Sequence, residues 1–101
     1  MSSLTYVVNI LQQAEAKIII GSHLTVKSGT RLSVTCSGSG IPLPVVRWRR
    51  RETLLAVGTG EANLVLEFVT RRNIGDFVCE ASNDVGNADK NTLALDVLYA
   101  P

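Results

Sequence analysis

The sequence predicts an all-β fold, an antiparallel sandwich or barrel, and three observations point there. Turn signals recur along the chain, short β-branched and apolar runs lie between them, and several runs alternate apolar with polar residues. Leu32, Val34 and Cys36 share one face of such a run, while Arg31, Ser33 and Thr35 share the other. That is the pattern of a strand with one face buried and one wet. No amphipathic helical stretch of about 12 residues competes with it.

Taken in order, the turns fall at Gly21-Ser22, Lys27-Ser28-Gly29, Ser37-Gly38-Ser39-Gly40, Gly58-Thr59-Gly60, Asn73-Ile74-Gly75 and Asn83-Asp84-Val85-Gly86. The strand candidates between them are residues 18–20, 24–26, 32–36, 45–48, 64–69, 77–81 and 93–98. Alternation assigns Leu32, Val34, Val46, Leu64, Leu66, Val69, Phe77, Leu95 and Val97 to the core. The one helix-like window, Leu11-Gln12-Gln13-Ala14-Glu15-Ala16-Lys17, is too short to stand alone and is read as a connection.

At 101 residues and 46% apolar content the chain suits one domain with a modest core. A net charge of +1 excludes a uniformly basic nucleic-acid binder and an acidic tail. No apolar run reaches the roughly 20 residues that cross a bilayer. Met1-Ser2-Ser3 has neither a basic region nor an adequate apolar run behind it, so a secretory leader is expected to be absent or removed. One His, two Cys and no dense carboxylate cluster argue against an enzyme.

Cys36 and Cys79 each sit within a predicted strand, and Trp48 lies between them. Around them stand Gly29-Thr30-Arg31-Leu32-Ser33-Val34-Thr35-Cys36, then Gly40-Ile41-Pro42-Leu43-Pro44 before Trp48, then Leu64, Leu66 and Val69. The most specific stretch is Gly75-Asp76-Phe77-Val78-Cys79-Glu80-Ala81-Ser82-Asn83-Asp84-Val85-Gly86. In this order the residues resemble the immunoglobulin superfamily, specifically the intermediate set found in adhesion molecules, receptors and muscle proteins. The resemblance implies a Greek-key sandwich whose sheets are bridged by a Cys36–Cys79 disulfide with Trp48 packed on it. Two unrelated buried thiols are the plainer alternative. Closing so long a loop would stabilise by about 4 kcal/mol in the chain-entropy model.

Three departures from the family pattern matter. Phe77 stands where the family usually has a Tyr whose hydroxyl closes a corner, and Asn73 stands where it has an Asp paired with an Arg. The interval from Leu55 to Leu64 is too short for a full C′ strand, a D strand and their turns, in the family's lettering. A sandwich with a truncated or absent D strand is therefore expected.

Other constellations carry little chemistry. His23 has no triad or metal partners in view, and the two Cys are too far apart for a CxxC redox or zinc pair. Gly38-Ser39-Gly40 lacks the remaining features of a phosphate loop. Asp84, Asn87, Asp89 and Asn91 lack the central Gly and terminal Glu of a helix-loop-helix calcium site. Leu95-Asp96-Val97 matches an integrin-binding tripeptide but falls within a strand, and no Asn-x-Ser/Thr sequon exists. No catalytic residue, metal or cofactor is expected.

The arginines are more informative. With Trp48 inward, alternation sends Arg47, Arg49 and Arg51 outward; with Phe77 and Cys79 inward, Asp76, Val78, Glu80 and Ser82 face outward. Arg47, Arg49, Glu80 and Ser82, with Asn83, Asp84 and Asn87 on the following loop, form the candidate protein-binding face. The resemblance also gathers Lys27, Arg31, Arg50, Arg51, Arg71 and Arg72 at one pole, opposed by Glu52 and Asp76, while Glu61, Asp84 and Asp89 sit at the other. That basic pole would suit an acidic partner domain or a sulfated glycan.

The resemblance thus implies an extracellular module of a membrane-anchored adhesion molecule or receptor, acting by homophilic or heterophilic protein recognition beside neighbouring domains of the same kind. An intracellular, muscle-filament-type structural module with reduced thiols, and a sulfated-glycan-binding receptor module, are the alternatives. Residues 15–99 are assigned to the domain, 1–14 to an N-terminal extension and 100–101 to the start of a linker. Thr5-Tyr6-Val7-Val8-Asn9-Ile10-Leu11 aligns with Thr92-Leu93-Ala94-Leu95-Asp96-Val97-Leu98. Residues 4–11 are accordingly read as the last strand of a preceding domain, either mobile or added to an exposed edge of its own or of a second molecule, as in a strand-mediated dimer.

Overall fold

The computed structural model describes residues 10–100. Eight strands form it: β1 (Gln12–Ile18), β2 (His23–Lys27), β3 (Leu32–Ile41), β4 (Val45–Arg50), β5 (Thr53–Thr59), β6 (Glu61–Leu66), β7 (Gly75–Ser82) and β8 (Asp89–Leu98). They pack as a three-stranded sheet, β1-β3-β6, against a five-stranded sheet, β2-β8-β7-β4-β5. All neighbours are antiparallel except β2 and β8, which run parallel. The two-residue alternation read from the sequence is the burial pattern observed in β3, β4 and β7. Eight of the nine expected core residues are buried; Leu66, at the end of β6, is half-buried.

Trp48 is fully buried at the centre. It lies opposite Cys79 in the β4–β7 register, and its indole N–H donates to the Ala62 carbonyl at 3.0 Å. Ala62 in turn is the register partner of Cys36, which forms the disulfide with Cys79. One aromatic side chain thereby spans both sheets beside the bridge, with its single polar atom satisfied.

The D strand is absent among the described residues: only Gly60 separates β5 from β6. Gly60 turns with φ 83°, and a Cβ on Gly58 would overlap the Glu61 carbonyl oxygen. The glycine pair allows the chain to pass from one sheet to the other without a connecting strand. Asn73, freed of the family's ion pair, caps a single 3-10 turn (Arg71–Asn73). Its Oδ1 accepts from the Thr70 N–H at 2.8 Å, while the Thr70 hydroxyl oxygen accepts from the Arg72 N–H.

One expectation is corrected. The window at residues 11–17 is a strand and not a connection: β1 begins at Gln12, ahead of the expected boundary at 15, and pairs with β3. Its Ala and Gln composition favours helix, but tertiary partners override that preference. Ala14, Ala16 and Ile18 are buried. The Ala16 N–H donates to Asp89 Oδ2 at 2.8 Å and its carbonyl accepts from Asn91 Nδ2. Of residues 4–11, only Ile10 and Leu11 lie within the described residues, and both are exposed ahead of β1.

Candidate recognition surface

Because β4 lies between β5 and β7, its outward side chains stand in the middle of the five-stranded sheet. Register sets Val57, Arg47, Glu80 and Lys90 in one row across β5, β4, β7 and β8. The next row holds Leu54, Arg49, Val78 and Thr92. Arg49 Nε lies 3.9 Å from Glu80 Oε1, with both side chains partly shielded. The result is a strip of alternating charge, positive on β4 and β8 and negative on β7, bordered on β5 by exposed Leu54 and Val57.

Arg51 departs from the expected outward row. β4 ends at Arg50, and Arg51 occupies a turn with φ 56°. Ser82 remains in the sheet opposite Val45. Asn83 is engaged inside the fold: its amide donates to the Gln12 carbonyl at 2.8 Å and the Pro42 carbonyl at 2.9 Å, and its oxygen accepts from the Val85 N–H. This asparagine ties β1, the loop after β3 and the loop after β7 together. Asp84 and Asn87 are exposed on that loop, and the Asn87 carbonyl accepts from Gln13 Nε2. Asp89 and Asn91, weighed above for calcium, hold the Ala16 backbone instead. Among the described residues no cluster of His, Cys, Asp and Glu is arranged to hold a metal ion.

At the opposite pole the β2–β3, β4–β5 and β6–β7 turns converge, joined by bonds from the Gly29 N–H to the Val69 carbonyl and from Arg50 Nη2 to the Ile74 carbonyl. Two of its cations are occupied. Arg31 pairs with Glu67 at 3.0 Å, and the Arg50 guanidinium stacks on the Phe77 ring. Lys27, Arg51, Arg71 and Arg72 form no ion pair among the described residues; Arg71 lies over Tyr99. Glu67, Lys90, Leu54 and Val57 were missed in the sequence. Lys90 and Val57 follow from strand register once β4 and β7 are aligned, whereas Glu67 depends on the course of a turn.

An antiparallel sandwich bridged by one disulfide, with a buried tryptophan set against it, defines the immunoglobulin class of β-sandwich. The chain belongs to the immunoglobulin domain family, whose pattern it matches over residues 17–83. It is 33% identical over 96 residues to the limbic system-associated membrane protein of Rattus norvegicus, covering 93% of this chain and 28% of that protein. The chain therefore spans little more than a quarter of that relative. Among solved structures it resembles a chain of Dpr11 IG1 bound to DIP-gamma, with TM-score 0.67 and 31% identity over 84% of this chain and 48% of that one. Consecutive domains from titin match with TM-score 0.75 and 25% identity over 91% of this chain and 36% of that one.

Proposed function

We propose that this domain is an extracellular module of a membrane-anchored adhesion molecule or receptor, working by non-catalytic protein–protein recognition through the β5–β4–β7 face. The alternating strip of Arg47, Arg49, Glu80 and Lys90 beside exposed Leu54 and Val57 carries the reading. Charges in register select a complementary partner, and the apolar border supplies area to bury. The sheet and the disulfide behind it hold this pattern rigid, which keeps the ordering cost of binding low. Likeness to a membrane protein and to an immunoglobulin domain bound to another supports a protein partner. The disulfide supports an oxidising compartment over the muscle-filament alternative, to which the titin likeness speaks.

The likeness of residues 5–11 to residues 92–98, the last strand of this domain, supports reading residues 4–11 as the final strand of a preceding domain. The domain is then one unit of a tandem array. A sulfated-glycan role is a second reading, favoured by Lys27, Arg51, Arg71 and Arg72 standing without ion-pair partners among the described residues.

The test is binding of the chain to a panel of cell-surface immunoglobulin ectodomains, itself included, with Arg49→Glu and Glu80→Arg as face variants. Binding that both variants abolish is the expected result. Unchanged binding by both, or two free thiols in natively sourced protein, overturns the reading.

A further inference from the structure

The likeness of residues 5–11 to residues 92–98 sets a spacing as well as an origin. Leu11 matches Leu98, where β8 ends, and β1 begins at the very next residue, Gln12. Read as the close of a preceding domain, residues 4–11 therefore leave no linker before this one. Each linker residue adds at most about 3.6 Å of reach. A domain joined without any stands directly on the pole where the chain enters.

That pole is pinned in place and carries apolar surface in the open. Asn83 Nδ2 donates to the Gln12 and Pro42 carbonyls, which ties the entering strand to the loops after β3 and β7. The Gly60 N–H donates to the Pro44 carbonyl at 2.8 Å, and the Gly60 carbonyl accepts from the Gly38 N–H, which fixes the β5–β6 turn beside them. Ile41 and Leu43 are nevertheless 46% and 59% exposed. Leu43 lies across Gly60, where an added Cβ would come within 3.1 Å of its Cδ2. Glu61, next to Gly60, and Asp84, next to Asn83, are exposed acids on the same pole.

Around the exit of the chain the character is opposite. The Ser28 N–H donates to the Leu98 carbonyl at 2.7 Å, the Phe68 ring lies over Gly29, and Arg71 lies over Tyr99. Phe68 and Tyr99 are exposed, and Lys27, Arg71 and Arg72 form no ion pair among the described residues. The entry is thus acidic and aliphatic, the exit basic and aromatic. Domains with such poles complement one another head to tail. Resting on the tandem reading, we propose that Ile41, Leu43, Glu61 and Asp84 form the docking surface for the preceding domain, a like sandwich that presents cations and aromatic rings at its own exit. The joint is then a fixed contact and not a hinge. It leaves the Arg47–Glu80 face free for a partner.

The test compares this chain alone with the same chain extended N-terminally, in its parent polypeptide, through the preceding domain. In the pair this domain should melt about 4 °C or more above the single chain, and 15N relaxation should give both domains one tumbling time. Leu43→Asp should abolish the rise and separate the two tumbling times, while leaving the melting midpoint of the single chain nearly unchanged. Glu61→Lys combined with Asp84→Asn is the second variant, since asparagine tolerates the left-handed backbone at 84, and it should shrink the rise. Two domains that melt and tumble independently overturn the docking and leave the tandem reading standing. A Leu43→Asp change that lowers the single chain as much as the pair overturns it too. If the preceding stretch forms no immunoglobulin domain, the tandem reading and the docking fall together.

Discussion

The Arg50 guanidinium lies 5.0 Å from the centre of the Phe77 ring, and its Nη2 donates to the Ile74 carbonyl at 2.8 Å. Phe77 occupies the position where this family's tyrosine sends its hydroxyl to upstream backbone. Here an arginine from β4 covers the ring and supplies the hydrogen bond. The corner is rebuilt from a different strand.

It follows that Phe77→Tyr should leave the melting midpoint nearly unchanged, because the nearby carbonyl already has a donor. Arg50→Ala should destabilise by about 1–2 kcal/mol, from the lost cation–π contact and the lost charged hydrogen bond. In the Arg50→Ala background, Phe77→Tyr should recover some of that loss. Thermal or urea unfolding of the two single variants and the double variant measures the coupling.

Asn83 offers two donors to two carbonyls and one acceptor to an N–H. Asn83→Ala should therefore cost about 1–2 kcal/mol in urea unfolding. Asn83→Asp should cost more than Ala, because it turns a carboxylate oxygen toward the Gln12 and Pro42 carbonyls. Stability in the order Asn, Ala, Asp is the expected result; Asp above Ala would show that the two amide bonds contribute nothing.

Cys36 and Cys79 are 43 residues apart, so the bridge constrains a long loop in the unfolded chain. Reduction, or the double change Cys36→Ala and Cys79→Ala, should lower stability by about 4 kcal/mol. Equilibrium unfolding with and without reductant reads this directly. A loss below about 1 kcal/mol would mean that the unfolded chain is already restricted.

At the basic pole only some of the cations are available to an anion, since Arg31 pairs with Glu67 and Arg50 is committed to Phe77 and Ile74. Retention on a heparin column should be weak and steeply salt-dependent. Reversing Arg51, Arg71 and Arg72 to Glu should abolish it, while Arg31→Glu should have the smaller effect. Elution of the unmodified chain without added salt would end the glycan reading.

The sandwich was legible because its buried residues repeat with period two around two cysteines and a tryptophan. Leu32, Val34, Val46 and Phe77 announce an inward face whatever their neighbours. β1 was not legible for the opposite reason. Its inward residues include two alanines, its polar residues favour helix, and its edge is satisfied by Asp89 and Asn91 from the far end of the chain. The outward arginines of β4 could be placed by alternation, but Arg51 left the row at a backbone turn. Asn83 read as a loop residue available to a partner, because nothing local reveals that Gln12 and Pro42 lie within its reach.

The parallel pairing of β2 with β8 sets how the domain answers a pull along its own axis. β2 lies near the N-terminal end of the sandwich and β8 closes it, with five residue pairs in register from His23–Ala94 to Lys27–Leu98. Tension between the two ends drags these strands past each other lengthwise, so their hydrogen bonds share the load and must break together. An antiparallel pair pulled from its open end would instead unzip, losing its bonds in succession. Past that point the Cys36–Cys79 bridge withholds the enclosed stretch of chain, including β4, β5 and β6, from further extension. Tethered between neighbours, the domain would behave as a short, stiff link that holds at the β2–β8 pair once β1 has parted from β3, and lengthens only by the segments outside its bridge.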